Sequence, residues 1–465
     1  MMNSVVVGLG KTGASCVRYL AKRGERVSAT DSRRAPPGLA ELGDLAGSID
    51  LRLGGFDLSL LEGATRLLMS PGVSLDEPIV KAARARGIEV LGDVELFARE
   101  VHAPVVGVTG TNGKSTVTTL VARMAAAAGR RVLAGGNLGE PALDLLAQPI
   151  PDLYVLELSS FQLETTSSLV LKAAVVLNVT ADHLDRYPSV AAYARAKGRI
   201  LANASTVVLN ADDPWVLAMR DREYRADAAR TVTFSIERSD TDFSLVRDGA
   251  QVFLARRGER WLDVARMRVA GLHNAANALA ALALGEAVGL PRAAMLEALE
   301  VFPGLPHRSS WVADIGGVRY IDDSKGTNVG ATMAAVAGMP GPLVMIAGGE
   351  GKGQDFKPLA GAFRGKVRAA VLLGKDAPAI AVALEGVCRT EIVAVREAAA
   401  AVEAVAAMDA VAAMDAVVEA AHRIAVPGDT VLLSPACASF DMFRDYGHRG
   451  DVFAAAVQRL KGSSP

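Results

Sequence analysis

The segment Gly110-Thr111-Asn112-Gly113-Lys114-Ser115-Thr116 follows the apolar run Val105–Val108 and leads into the helical stretch Val117–Ala128. A strand, a glycine-rich turn and a helix opening on Lys-Ser make a phosphate cradle. Backbone N–H groups and the helix dipole face the anion, Lys114 reaches the outer phosphates, and Ser115 or Thr116 offers a hydroxyl to Mg²⁺. The spacing departs from GxxxxGK[ST], because Val108 stands five residues before Gly113 while the glycines fall at 107 and 110. A plain glycine turn with a surface lysine is the alternative, and the flanking strand and helix argue against it. The pattern predicts nucleoside-triphosphate binding without naming a reaction.

Two more groups could join that chemistry. Leu153–Glu157 reads as a strand ending in a carboxylate, and Ala174–Leu177 leads to Asn178-Val-Thr-Ala-Asp182-His183. Both lie just past the C-terminal ends of strands, where open parallel sheets hold their ligands. Glu157 and a neutral His183 beside a triphosphate suit Mg²⁺, which keeps several of its waters. Taken singly, each would pass for a solvated strand-end charge or a structural histidine. Lys197, within the helical stretch Val190–Leu201, reads from its surroundings as a surface lysine.

Near the N-terminus, Gly8-Leu-Gly10-Lys-Thr-Gly13 fits GxGxxG, opens the helical stretch Ala14–Lys22, and is followed 23 residues after Gly8 by Asp31. This predicts a diphosphate at a helix terminus with Asp31 on a ribose. NAD meets that description and so does a UDP-sugar; Ser32 and Arg33 add a donor and a cation for either.

The elements that must position these groups are short β-branched runs alternating with amphipathic segments, as at Val207–Leu209, Leu343–Ile346, Ala369–Leu373 and Thr430–Leu433. That alternation predicts parallel sheets wrapped by helices. Three blocks are expected within the 465 residues, 1–93, 94–304 and 305–465, with the turn-rich Pro303–Pro306 as a linker. Thr231–Phe234, Phe243–Val246 and Gln251–Ala255 form a strand-rich insertion in the second block. Val405–Ala410 is repeated at once as Val411–Ala416, with acids at Glu397, Glu403, Asp409 and Asp415. A six-residue step advances about 240° round a helix, so these charges spread over three sides. The expectation is a long Ala-rich helix carrying a tolerated surface duplication.

A net charge of −1 leaves no footprint for nucleic acid, and three scattered cysteines point away from a disulfide framework. With no apolar run of membrane-spanning length, a cytoplasmic protein with no membrane insertion is expected.

Nine segments together resemble the Mur ligases, in particular their D-glutamate-adding branch. They are 110–116, GGNLGEPAL (135–143), ELSSFQLE (157–164), NVTADHLDRY (178–187), HNAANALAAL (273–282), GLPHR (304–308), DDSKGTNVGAT (322–332), GGEGKGQDF (348–356) and SPACASFDMF (434–443). The resemblance spans essentially the whole chain. It implies an α/β protein of three domains: a Rossmann-like UDP-binding domain, a central P-loop ATPase-like domain and a C-terminal Rossmann-like domain. It also implies a reaction in which ATP phosphorylates the L-alanyl carboxylate of UDP-N-acetylmuramoyl-L-alanine and the D-glutamate amine displaces the phosphate. Catalytic roles fall to Lys114, Glu157, His183 and Lys197. Two Mg²⁺ ions would take ligands from Ser115, Thr116, Glu157, His183 and Lys197, the last as a carbamate formed with CO₂. ATP would contact Gly110, Thr111, Asn112, Gly113, Lys114, Ser115, Thr116, Asn277, Arg308 and Asp323. The UDP-substrate would meet Thr12, Asp31, Ser32, Arg33, Gly72, Asn137 and Ser159. D-Glutamate would meet Lys325, Thr327, Lys352, Ser439 and Tyr446. Lys11 and Tyr446 depart from the family's usual apolar or Phe residues at their positions, and a monomer is expected.

Overall fold

Five short strands open the chain: β1 (Asn3–Val7), β2 (Arg26–Asp31), β3 (Asp50–Leu53), β4 (Arg66–Met69) and β5 (Glu89–Gly92). In this computed structural model, which describes residues 2–220, 229–269, 271–393 and 403–463, they pair in parallel in the order β3-β2-β1-β4-β5. Helices α1 (Lys11–Lys22), α2 (Pro78–Ala85) and α3 (Asp93–Glu100) cover the sheet. The strand order turns back between β1 and β4, so their C-terminal ends frame a crevice.

The second sheet has nine strands: β6 (Val105–Thr109), β7 (Val132–Gly136), β8 (Leu153–Glu157), β9 (Ala173–Val176), β10 (Thr206–Asn210), β11 (Arg230–Phe234), β12 (Phe243–Asp248), β13 (Gln251–Arg256) and β14 (Glu259–Asp263). Their order is β14-β13-β12-β11-β10-β9-β6-β8-β7. β12 to β14 form an antiparallel meander on an otherwise parallel sheet. The helices of this region are α4 (Lys114–Ala127), α5 (Ala142–Leu145), α6 (Ser160–Glu164), α7 (Val190–Gly198), α8 (Pro214–Ala218), α9 (Leu272–Ala287) and α10 (Arg292–Val301). All five residues of β6 are buried, as a strand covered on both faces requires.

The third sheet contains β15 (Ser310–Ile315), β16 (Val318–Asp322), β17 (Leu343–Gly348), β18 (Val367–Leu373), β19 (Arg389–Ile392) and β20 (Thr430–Leu433), in the order β15-β16-β20-β17-β18-β19. Its helices are α11 (Val329–Gly338), α12 (Lys357–Phe363), α13 (Ala377–Ala383), α14 (Glu403–Ile424) and α15 (Tyr446–Ser463). Side chains alternate with period two. Val344, Ile346, Val371, Leu373, Val431 and Leu433 meet Met414, Val417 and Phe453 from α14 and α15. Leu343, Met345, Ala370, Leu372 and Leu432 meet Val336, Leu359, Phe363 and Ile380 on the other face.

The repeated hexapeptide lies in α14. Its second copy is more than surface material: Ala413 and Met414 are buried, Met414 in the core cluster, while Asp415 accepts from Arg459 Nε at 3.1 Å. Packing on one helix face thus buries Ala410 of the first copy together with Ala413 and Met414 of the second. Glu397 lies outside the described residues, as do the side chains of Glu403 and Asp409.

By compactness the chain forms two units. One comprises Met1–Val179, Ala191–Met267 and Ala275–Phe302; the other comprises Thr180–Val190, Arg268–Asn274 and Pro303–Pro465. Within the first unit, the N-terminal and nine-stranded sheets are joined through α3. The Glu95 carboxylate accepts from Ser167 N at 2.7 Å, Ser168 N at 3.0 Å and Ser168 Oγ at 2.8 Å. No helix of the described residues is long and apolar enough to cross a membrane.

Asp93 begins α3 and is 1% exposed; its Oδ2 lies 3.4 Å from Gln162 Nε2, while its buried Oδ1 has no hydrogen-bond partner. Burial pushes its carboxyl up to about 6. The folded state therefore holds a proton that the unfolded chain releases near 4, so stability falls as pH rises from about 4 to about 6. Asp93→Asn should flatten that slope. Its melting midpoint should exceed the parent's at pH 7.5 and match it near pH 4, as thermal unfolding across that range would read.

Candidate active site

The turn after β6 is shaped by two glycines. Gly113 has φ +83° and Gly110 φ +153°, and a Cβ on Gly113 would stand 2.4 Å from Asn277 Oδ1. Only glycine meets both demands at Gly113. Asn178 braces the turn: its carbonyl accepts from Thr111 N at 2.9 Å, its Oδ1 accepts from Asn112 N at 2.8 Å, and its Nδ2 donates to Asn112 O at 3.1 Å. α4 then opens on Lys114, with Ser115 and Thr116 buried beneath it. Gly110–Thr116 and Asn277 thus form one cradle.

Lys114 Nζ donates to Gly110 O at 3.0 Å and to Thr111 O at 2.9 Å. Lys197 Nζ donates to the same Gly110 O at 2.8 Å and lies 4.4 Å from the Tyr193 ring centroid. The surface placement expected of Lys197 is therefore overturned, since it is 1% exposed. Tyr193, Ala194 and Lys197 form the inward face of α7, and the alanines around them leave no apolar stripe that would mark that face in the sequence.

Glu157 ends β8 between β6 and β7, opposite Val108 on one side and Gly136 on the other. It is 3% exposed, and its Oε1 accepts from Asn137 Nδ2 at 2.7 Å. Two residues on, Ser159 caps α6 in a reciprocal box with Gln162.

In the N-terminal sheet, the residues expected around a UDP-sugar gather at the C-terminal edge. Thr12 lies in the first turn of α1, and Gly72 belongs to a turn whose neighbours Ser70 and Val73 pack directly on Gly8. Asp31 ends β2 and is almost wholly buried. Its Oδ2 accepts from Leu9 N at 2.7 Å and Arg33 NH2 at 2.8 Å, and its Oδ1 accepts from Arg33 N at 2.8 Å. Burial raises its pKa, but these hydrogen bonds outweigh burial and hold the carboxyl below the ordinary aspartate value. Asp31 thus ties the Gly8–Gly13 turn to Arg33, with Ser32 and Arg33 exposed beside it.

The second unit carries the remaining candidates. His183 has φ +55°, its N–H donates to Asp182 Oδ1 at 2.9 Å, and Asp182 is approached by Lys352 Nζ at 3.6 Å and Asn328 Nδ2 at 3.4 Å. Asp323 accepts from Ser434 Oγ at 2.8 Å and Ser309 N at 3.0 Å; burial pushes it up to about 7, against those bonds and the nearby Arg308 charge. Lys325 Nζ lies 3.7 Å from the Tyr446 ring centroid, a cation–π contact. Thr327 N donates to Lys325 O at 2.7 Å, and Ser439 is buried in the loop after β20. Thus Lys114, Glu157, Lys197, Asn137 and Asn277 belong to the first unit, and His183, Arg308, Asp323, Lys325, Thr327, Lys352, Ser439 and Tyr446 to the second.

One residue that the sequence reading missed holds the second group together. Arg449 is 1% exposed and donates from NH2 to Ser324 O at 2.8 Å and Cys437 O at 3.1 Å, and from NH1 to Ala438 O at 3.3 Å. Burial lowers its pKa to about 10. It fastens the loop of Lys325 to the loop of Ser439. Its only sequence signal is a cation inside an otherwise ordinary helix start.

Three family profiles match in succession: "Mur ligase MurD-like, N-terminal domain" over residues 2–92, "Mur ligase middle domain" over 108–285, and "Mur ligase, glutamate ligase domain" over 307–437. The chain belongs to the Mur ligase family. Among Mur ligases, a UDP-N-acetylmuramoylalanine--D-glutamate ligase of Nitrosococcus oceani is 52% identical across 98% of this chain and 96% of its own length. One so named from Methylobacillus flagellatus is 48% identical across 98% and 97%. The solved UDP-N-acetylmuramate-alanine ligase of Thermotoga maritima shares the fold, with TM-score 0.61 and 21% identity over the full length of both chains. A pseudomurein peptide ligase of Methanothermus fervidus does so at TM-score 0.62 and 18% identity, over 99% of this chain and all of its own. These likenesses establish the three-domain α/β Mur ligase architecture.

At Gly113, alanine would combine a positive φ with the Asn277 clash, a strain of about 1–3 kcal/mol. Gly113→Ala should weaken ATP binding by about 10- to 100-fold. Titration calorimetry would read it, with an unchanged circular dichroism spectrum as the folding control.

Proposed function

We propose that the chain is an ATP-dependent amide ligase that joins D-glutamate to UDP-N-acetylmuramoyl-L-alanine through an acyl phosphate. The observation that carries this reading is the pair of ammonium groups, Lys114 and Lys197, on the single carbonyl of Gly110 beside buried Glu157. Two amines converging on one carbonyl of a glycine-rich turn mark the point where a phosphate chain would be gripped. Transfer of a phosphoryl group to a carboxylate brings anions together and needs preorganised positive charge, which Lys114 supplies in this reading.

In this reading the substrate carboxylate attacks the terminal phosphorus of ATP and ADP departs. The amine of D-glutamate then attacks the acyl carbon and phosphate departs. Lys114 and the N–H groups of the Gly110–Thr116 cradle hold the triphosphate. Thr12, Asp31, Ser32, Arg33 and Gly72 surround the UDP end, with Asn137 and Ser159 nearer the reacting end. Lys325, Thr327, Lys352, Ser439 and Tyr446 take the two carboxylates of D-glutamate, an anion suited to cations and hydroxyls. Arg308, Asp323 and Asn277 contact the nucleotide.

Mg²⁺ fits the residues present. Within the first unit Glu157, Ser115 and Thr116 offer hard oxygen donors, and Mg²⁺ takes few protein ligands when phosphates and waters complete its shell. When bound, it neutralises phosphate charge. Lys197 fits that chemistry as a carbamate: its neutral amine adds to CO₂ and loses a proton, which gives an anionic oxygen ligand in place of an amine. Substrates of this kind place the reaction in the cytoplasm.

Phosphate release from ATP with UDP-N-acetylmuramoyl-L-alanine should require D-glutamate and yield a product heavier by one glutamyl residue. Release driven instead by L-lysine or meso-diaminopimelate would move the chain to another branch of the family. Lys197→Ala should lose nearly all activity and regain part of it with short carboxylic acids such as acetate. Full activity without additives would remove the carbamate role.

A further inference from the structure

Lys11, Ser15 and Arg18 follow one another at i, i+4 and i+7 and so share one stripe of α1. All three reach the same short segment of the nine-stranded domain. Lys11 Nζ donates to Gly139 O at 2.7 Å, Ser15 Oγ donates to Asp144 Oδ1 at 2.7 Å, and Arg18 NH2 donates to Asp144 Oδ2 at 2.9 Å. Asp144 therefore commits both oxygens to α1, one of them to a wholly buried hydroxyl. A lysine in the first turn of a helix opposes the helix dipole, and the Gly139 contact gives Lys11 a reason to stand there.

The fastened segment leads back to the chemistry. Gly136 N donates to Glu140 O at 2.7 Å, and between them Asn137 donates from its backbone to Glu157 O at 2.8 Å and from its side chain to Glu157 Oε1 at 2.7 Å. At its other end, α1 opens on the Gly8–Gly13 turn. One helix thus connects the turn read as the diphosphate seat with the residues that hold Glu157.

We propose that Asp144 is a positioning residue of the ligase, acting through residues 136–144 to hold Asn137 and Glu157 in register with the UDP end of the substrate. This rests on the ligase reading above. Because Asp144 acts on the reacting end, its loss should slow turnover and leave nucleotide recognition intact.

The test compares wild type, Asp144→Ala, Asp144→Asn and Lys11→Met for kcat, for the Mg²⁺ concentration giving half-maximal rate, for UDP affinity and for melting temperature. Asp144→Ala should lower kcat about 10- to 100-fold, the range seen when groups orienting metal ligands are removed. Its Mg²⁺ requirement should rise, and its UDP dissociation constant should stay within about twofold. Asp144→Asn keeps an acceptor for Ser15 and should recover much of the rate. Lys11→Met leaves Asp144 in place and should shift the Mg²⁺ requirement in the same direction by less. A kcat within about twofold of wild type in Asp144→Ala would overturn the proposal. So would parallel losses of UDP affinity, rate and melting temperature with an unchanged Mg²⁺ requirement, which would mark a purely structural role. A wild-type enzyme that releases no phosphate with D-glutamate would sink the ligase reading itself, and this inference with it.

Discussion

The carbonyl of Gly110 receives two ammonium groups, and much of the first unit serves to put them there. Lys114 arrives because Gly113 turns the chain with a positive φ into α4. Lys197 arrives because α7 turns its Tyr193 face inward. Asn178 fixes the turn from the adjacent strand end, and Glu157 closes the neighbouring one. Lys197 is buried and Lys114 half-buried, and charging an enclosed amine is costly unless a neighbouring anion or a change of ionisation answers it. Both amines meet at a single carbonyl of the glycine turn, next to the strand end that carries Glu157.

Parallel topology distributes the rest. With strands running the same way, the glycine-rich turns after β1 and β6 fall on the C-terminal edges of their sheets, and so do the loops after β17 and β20 in the third. Each sheet repeats one solution, a strand end facing a loop that departs for a helix. In the third sheet, Arg449 supplies the order that short loops lack, by donating to three backbone carbonyls at once.

Much of this was legible in the sequence, because strands buried on both faces spell themselves out as β-branched runs. Val5–Val7, Val105–Val108 and Leu343–Ile346 all lie within strands. Boundaries were less clear: α1 begins at Lys11, ahead of the expected Ala14, because Gly13 inside its first turn hid the start. β14 was passed over because Glu259-Arg-Trp-Leu-Asp263 carries the charges that blunt an edge strand. The burial of Lys197, the fastening role of Asp144 and the bracing role of Arg449 were illegible for a different reason. Each depends on a partner far away in the chain: 87 residues separate Lys197 from Gly110, and 125 separate Arg449 from Ser324. Local pattern carries no record of such pairings.

The division of the chain bears on how the protein can be taken apart. The second unit draws Thr180–Val190 and Arg268–Asn274 from within the stretch that otherwise builds the nine-stranded sheet. Gly330 packs within 3.0 Å, measured from an added Cβ, of Thr180 in that borrowed segment. A fragment beginning at the Pro303–Pro306 linker would look like a complete domain by sequence length. It would nonetheless leave behind His183 and Asp182, the residue that Lys352 and Asn328 engage. Proteolysis at that linker would cut one covalent thread among several, so the halves of this ligase are interlaced by chain path, and its genetic modules and its physical ones do not coincide.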